Sequence, residues 1–475
     1  MKNNKILQKV IIILFWLLIW QLVAVFTDNN ILLVGPIQAG KVFLQNLTKP
    51  DFWKIVLYSF GRIGLGFFLA LFLGILLGSL AYCRSFIETL LEPLMATIKS
   101  IPVVSFVVLL LIWFGSVRLS LFISFLVVLP NVYVNTIAGL KSTDTHLLEM
   151  AKVFHIGTFN RFFYIYRPAF MPYLISAMKI SLGMSFKSGI AAEVIGLPDY
   201  SLGERLYMSK IYLDTAGLFS WTLTIILLSF AFEKLVLYLT KCFDAWVPSP
   251  YQGKLRNIHS EVSSIHAGKG DEHNITHDIH NEPGDIYLKN ICKSYDGQKV
   301  INDFSYTIKK GEHYCLIGPS GTGKTTLLKL INRIELPDSG VIEYEFRQRI
   351  GMVFQEERLC ERYDTITNVM ISAGPTISKN DIYEEALDIL PADCLNKPVC
   401  ELSGGMKRRC AILRAMLSDS NIIIMDEPFN GLDIENRRKT AAYILKRLDG
   451  RTLLITTHRA EDIELLGAVN IELTP

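Results

Sequence analysis

Gly318-Pro319-Ser320-Gly321-Thr322-Gly323-Lys324-Thr325-Thr326 decides the fold of the C-terminal half. It follows the apolar run HYCLI at 313–317 and precedes the helical pattern LLKLINRI at 327–334. Three glycines permit a loop whose backbone N–H groups wrap phosphates, and the strand before and helix after it set it apart from a chance glycine-rich turn. Lys324 then reaches the β- and γ-phosphates of a nucleotide, and the Thr325 hydroxyl ligates Mg²⁺.

About a hundred residues on, the apolar run Ile422–Met425 ends in Asp426 and Glu427. By itself an Asp-Glu pair after a strand is a helix cap. Downstream of a phosphate loop it reads as chemistry: Asp426 holds Mg²⁺ through its water shell, and Glu427 serves as general base on the attacking water. YCLIG, NIIIMD and TLLITTH read as buried parallel strands, so an α/β domain runs from Asp285 onward.

The N-terminal half belongs to a different solvent. Residues 1–250 hold 20 basic and 12 acidic side chains; residues 251–475 hold 28 and 33. Apolar stretches of membrane-crossing length lie near 6–26, 58–82, 93–115, 119–140, 172–197 and 215–241. Six spans imply cytoplasmic termini, which agrees with Lys2, Lys5 and Lys9 before the first span and Lys141, Lys152, Arg161 and Arg167 between the fourth and fifth. The basic excess sits at the ends of apolar segments, so it marks a lipid bilayer and not a nucleic acid. Lys187 and Glu193 fall inside the fifth span, where charge is costly and either lines a pathway or forms a structural pair.

Residues 246–284 read as a linker with five of the chain's nine histidines, His259, His266, His273, His277 and His280; a solvated tether is favoured over a metal tract. The eight cysteines include no C-x-x-C pair, which suits a reduced compartment.

The LSGGMKRR run at 402–409, downstream of a phosphate loop, resembles the signature motif of ABC proteins. That resemblance implies an adenine-stacking role for Tyr295, a Mg²⁺- and permease-sensing role for Gln355, a D-loop at Asp433 and a γ-phosphate contact for His458. It assigns Ser403, Gly404 and Gly405 to ATP held by an opposing cassette. Met406 stands where Gln is usual, Gly431 where Ala is usual, and the stretch from Lys324 to Gln355 is short for the family. None of these departures removes a catalytic group.

Residues 147–174, LLEMAKVFHIGTFNRFFYIYRPAFMPYL, resemble the EAA loop of importer permeases, with Glu149, Ala151 and Pro168 at matching positions and His155 where the family has Gly. In importers this loop forms a coupling helix that docks beside the Q-loop. LYSFGRIGLGFFLALFLGILLGSL, IPVVSFVVLLLIWFG and FKSGIAAEVIG are similar to permeases of the nitrate/sulfonate/taurine/bicarbonate importers.

The expected architecture is therefore an all-α, six-helix transmembrane permease (1–245), the linker (246–284) and a soluble α/β ATP-binding cassette (285–475). One phosphate loop and one signature per chain imply a homodimer. The resemblance further implies import of a small anion such as a sulfonate, taurine or nitrate, with a separate extracytoplasmic solute-binding protein, at the cytoplasmic membrane. A thiamine-precursor importer and a half-size exporter are the alternatives. The exporter is opposed by the short spans and the EAA loop.

Overall fold

The computed structural model describes residues 2–27, 29, 31–246, 284–319, 321–346, 348–373 and 377–473. The five linker histidines and Ser320 lie outside the described residues. Two compact units form: Met1–Ser142 with Ala169–Pro248, and Thr143–Pro168 with Ser249–Pro475.

The first unit is helical. Its elements are α1 (Lys2–Thr27), α2 (Pro36–Leu47), α3 (Pro50–Cys83), α4 (Ser85–Ser100), α5 (Val103–Lys141), and, after the excursion into the second unit, α8 (Arg167–Gly196), α9 (Leu202–Ile211) and α10 (Thr215–Trp246). Four helical stretches among the described residues are long and apolar enough to cross a membrane: Pro50–Cys83, Val103–Lys141, Thr158–Gly196 and Thr215–Cys242. The apolar part of α1 described, Ile11–Thr27, is shorter.

The expected third span, 93–115, is not one helix. Pro102 offers no N–H and holds Ile101 extended, at φ −73° and ψ 131°, so α4 stops at Ser100 and α5 starts afresh at Val103. Gly115, at φ 72° and ψ 176°, then breaks α5 where the third and fourth spans were expected to be separate. An apolar run carries hydrophobicity through such breaks, so hydropathy alone does not reveal them.

The glycine spacing in α3 has a packing role. A Cβ at Gly74 would stand 2.8 Å from Val132 Cβ, and one at Gly78 2.7 Å from Thr136 Cβ, so α3 and α5 touch backbone to side chain. Glu193 of α8 is 0% exposed. Its carboxylate accepts from Ser59 Oγ (2.8 Å) and from Gly203 N (3.3 Å) in the first turn of α9. Ser59 Oγ in turn accepts from Leu202 N at 2.9 Å. Glu193 thus ties α3, α8 and α9 together, where the partial positive charge of a helix start favours an anion. Lys187 is exposed and does not pair with it.

The second unit is α/β. An antiparallel sheet runs β2-β1-β4, formed by β1 (Ile286–Tyr295), β2 (Gln298–Ile308) and β4 (Ser339–Tyr344). A parallel sheet runs β5-β6-β7-β3-β8, formed by β3 (His313–Ile317), β5 (Ile350–Val353), β6 (Ile422–Asp426), β7 (Thr452–Thr456) and β8 (Val469–Glu472). Every residue of β6 and β7 is buried, as strands covered on both faces require. The helices are α11 (Lys324–Ile331), α12 (Thr365–Met370), α13 (Lys379–Ile389), α14 (Gly404–Met416), α15 (Ile434–Leu448) and α16 (Ala460–Leu466).

Residues 143–168 fold into this unit as α6 (Thr145–Val153), α7 (Thr158–Arg161) and a π-helical turn at Phe162–Tyr166. Asp144 caps α6 by accepting from His146 N. Met150, Ala151, Val153, Ile156, Tyr164 and Ile165 share one buried cluster with β-strand residues such as Leu288 and Met352. His155, which replaces the family's Gly, adopts φ 50°, the left-handed region that Gly enters without strain. Pro168 lacks an N–H, and the turn before it widens so that Arg167 N donates to Phe162 O.

Candidate nucleotide site and its coupling segment

Parallel strands leave their carboxyl ends along one edge, and the residues singled out in the sequence gather there. The phosphate loop follows β3, Gln355 follows β5, Asp426 and Glu427 end β6, and His458 follows β7. Thr325 Oγ1 donates to Asp426 Oδ2 at 2.9 Å, and Thr456 Oγ1 donates to Asp426 Oδ1 at 2.6 Å. Glu427 N donates to Thr456 O (3.1 Å) and Thr456 Oγ1 (3.0 Å). Thr456 therefore fixes both acids, a role its β-strand context conceals in the sequence.

Glu427 adopts φ 50° although Pro428 follows it, a position that favours extended backbone. Strain of this kind, of order 1–3 kcal/mol, survives where surrounding bonds over-determine the backbone, as the two bonds from Glu427 N do here. The result turns the carboxylate toward His458, with Glu427 Oε1 2.6 Å from His458 Nε2.

In the loop itself, Gly321 and Gly323 have φ of 91° and 89°. A Cβ at Gly323 would press on Val300 at 2.9 Å, whereas the space beside Gly321 is open. Lys324 is 8% exposed, and its ammonium donates to Gly318 O (2.6 Å) and Pro319 O (2.9 Å). Thr322 Oγ1 donates to Pro319 O at 2.9 Å. Thr325, Gln355 and Asp426 line one cleft with His146, Lys329 and Arg358. A hydroxyl touching a carboxylate, with an amide beside them, is an all-oxygen donor set that suits a hard cation such as Mg²⁺. The open loop at the start of α11 suits phosphates.

Tyr295 closes β1 before the Asp296-Gly297 turn and is 40% exposed. Its hydroxyl donates to Glu335 and also meets Thr326 of the loop. Burial, then the Glu335 carboxylate, pushes the phenol up to about 12, so it stays a donor at neutral pH. One edge of the ring is pinned beside the loop.

Ser403, Gly404, Gly405 and Asp433 form a second group. Ser403 caps α14 by accepting from Met406 N. A Cβ on Gly405 would stand 3.3 Å from Gly431 O. Asp433 caps α15, and the N–H groups of Asn436 hold its carboxyl below the usual range. Among the described residues, no hydrogen bond joins this group to Lys324, Thr325, Asp426 or Glu427.

Two buried arginines went unassigned in the sequence. Arg408 donates to Phe354 O at 2.6 Å and to Gln355 O. Arg414 donates to Arg358 O (2.7 Å) and Glu357 O (3.1 Å), and burial pushes it down to about 10. They hold the backbone around Gln355 from below. The basic run after the signature glycines was the only sequence signal for Arg408, and Arg414, inside the apolar stretch at 410–416, had none.

That backbone is where α6 sits. Glu149 Oε2 and Arg358 Nη1 are 2.6 Å apart, with side chains 39% and 9% exposed. Arg358 also stacks on Phe354, its guanidinium 4.0 Å from the ring centroid. Tyr363 OH donates to Phe163 O at 3.3 Å and its ring meets Tyr164 edge-on. Ala151 is 0% exposed, so no larger side chain fits there without displacement. Pro168 is half-buried.

Two family models match. One, the binding-protein-dependent transport system inner membrane component, covers residues 70–245; the other, ABC transporter, covers 301–430. The spermidine/putrescine import ATP-binding protein of Mycoplasma capricolum subsp. capricolum is 35% identical over 194 residues, 37% of this chain and 55% of that one. The chain thus spans about half the length of that relative. The taurine import ATP-binding proteins of a Jannaschia species and of Roseobacter denitrificans are each 34% identical, over 78% and 72% of their lengths and 40% and 38% of this chain. Among solved structures, a dimeric ATP-binding cassette in a post-hydrolysis state with ADP and Pi is 25% identical, covering 40% of this chain and 94% of that one at a TM-score of 0.36. The permease match and the four apolar helices make this a membrane protein. With its permease and its cassette on a single polypeptide, the chain belongs to the ABC transporter family.

Proposed function

We propose that the chain hydrolyses ATP to import a small solute across the cytoplasmic membrane, working as a homodimer with a separate solute-binding protein. The observation that carries this is the Glu149–Arg358 pair: a loop between two apolar helices is seated beside Gln355, in the cleft that also holds Thr325 and Asp426. A permease loop in that position gives nucleotide chemistry a lever on the spans.

The geometry, together with the family resemblance, supports the following roles. Lys324 leaves its own loop carbonyls for the β- and γ-phosphates of ATP. Thr325, Asp426 and Gln355 would hold Mg²⁺, which when bound supplies neutralisation of phosphate charge. Glu427 takes the proton of the attacking water, and His458 orients Glu427 and contacts the γ-phosphate. Tyr295 stacks on the base. Ser403, Gly404, Gly405 and Asp433 stand apart from these groups, which supports their serving the site of a second copy. The two chains then close on ATP, and α6 carries that motion toward the helical half. Domain limits of 1–245, 246–284 and 285–475 accompany this reading, with cytoplasmic termini.

For the solute, the taurine relatives favour a small anion such as a sulfonate, taurine or nitrate. The spermidine/putrescine relative serves a cation system, so the cassette alone does not select. A thiamine precursor and a half-size exporter are the other outcomes. The test is a gentle pull-down of the tagged chain from native membranes, with mass spectrometry of bound proteins and their ligands. A co-purifying solute-binding protein is expected. A bare homodimer with intact ATP turnover, found repeatedly, would overturn import in favour of export.

A further inference from the structure

We propose that Lys179 and Lys187 on α8 form a pair of cationic stations that draw a small anionic solute along the transport pathway; this rests on the import reading above. Outward-facing positions of α3 are Leu65, Phe68, Leu69, Phe72, Leu76 and Leu80, the side chains lipid selects. The open face of α8 is mixed: Ser176, Lys179, Lys187 and Ala191 are exposed beside Ile180, Met184 and Ile195, with Gly183 between the lysines.

Neither ammonium has a hydrogen bond or ion pair among the described residues, and no acidic side chain shares their face. Glu193, the nearest carboxylate along α8, is buried against Ser59 and Gly203. The lysines are about 12 Å apart along the axis, and Lys187 lies about 14 Å from the end of α8 at Gly196, further than a four-carbon stem reaches toward an interface. Lys187, unpaired at such depth, requires water and a counter-charge, and Lys179, about 26 Å from Gly196, stands toward the other end of the same path. A homodimer with its two-fold axis beside α8 would set four such groups around one aqueous path. Charge complementarity then selects an anion small enough to pass, and disfavours a polyamine.

Anion-attracting electrostatics are measured without knowing the solute. In the full-length chain in lipid nanodiscs, with Cys83, Cys242, Cys292 and Cys400 replaced by Ser, Gly183→Cys is introduced; its Cβ meets nothing within 4 Å. Labelling rates are compared for the sulfonatoethyl (anionic) and trimethylammonioethyl (cationic) methanethiosulfonates, each normalised to a free thiol. The anionic reagent is expected to win by on the order of tenfold. Lys179→Gln with Lys187→Gln should bring the ratio near one, and Lys179→Arg with Lys187→Arg should restore it. Ser176→Cys repeats the measurement should Gly183→Cys fail to fold. No labelling by either reagent means a lipid-facing stripe and overturns the proposal, as does an anion preference that survives the Gln pair. Absent ATP turnover or import with an intact, lysine-dependent preference counts against the import reading and leaves the stations standing.

Discussion

Glu427 Oε1 and His458 Nε2 are 2.6 Å apart at the carboxyl ends of adjacent parallel strands, and the left-handed backbone at Glu427 aims the carboxylate there. A carboxylate so placed has one neighbour to orient it and one direction in which to accept a proton. Glu427→Gln keeps the shape and removes the base. Phosphate release should fall by on the order of 10²–10⁴-fold while ATP binding, read by a fluorescent analogue, persists. Wild-type turnover in this variant would remove Glu427 from the mechanism.

Thr456 touches both acids, so Thr456→Val should act on metal dependence. Losing the bond to Asp426 Oδ1 leaves a buried carboxylate oxygen short of a donor, at about 1–3 kcal/mol, while Glu427 N keeps its bond to Thr456 O. The Mg²⁺ concentration for half-maximal turnover should rise, and thermal unfolding should come earlier. Chelation by EDTA should stop the wild type outright and be reversed by added Mg²⁺. An unchanged Mg²⁺ requirement in Thr456→Val would contradict the bridge.

Glu149→Ala and Arg358→Ala should separate hydrolysis from transport. Both leave the nucleotide groups in place, so ATP turnover persists, whereas solute uptake falls. Because Glu149 is partly solvated, a double-mutant cycle on stability should give a coupling of about 1 kcal/mol or less. Equal loss of turnover and uptake would assign the pair to the cassette's own structure.

The thiols offer a test by pH. Burial pushes Cys315 and Cys360 up to about 11 and Cys410 up to about 12, whereas the Ser339 hydroxyl pulls Cys292 down. As pH rises from neutrality, Cys292 should label with iodoacetamide ahead of Cys400, and the three buried thiols should label only on unfolding. Their folded values lie above the ordinary 9.0, so stability is fully present below about pH 9 and is lost as pH climbs toward 11. Labelling of Cys410 in the folded protein at pH 8 would contradict its burial.

Contiguous chemistry was legible in the sequence. The loop at 318–326, the Asp426-Glu427 pair and the signature at 402–409 each pack their function into neighbouring residues, and strand context placed them on one edge. Features that depend on distance in the chain were not. Thr456 meets Asp426 from another strand, Arg408 reaches back to Phe354, and Glu193 is defined by Ser59 and Gly203. The breaks at Pro102 and Gly115 were hidden for a different reason: apolar composition reports the solvent around a segment and not its backbone angles. His155 shows the converse, a departure from a family pattern that the backbone accommodates at φ 50°.

The burial of Met150, Ala151 and Tyr164 in the cassette's hydrophobic cluster has a consequence for how such proteins are rebuilt or exchanged. A cassette cut out at 285–475 would leave Leu288 and Met352 without part of their cover and would carry a sticky patch into water. Transplanting it into another transporter would demand that residues 143–168 travel with it. The unit inherited together is discontinuous, and joining its pieces on one polypeptide keeps each loop matched to the groove that grew up around it.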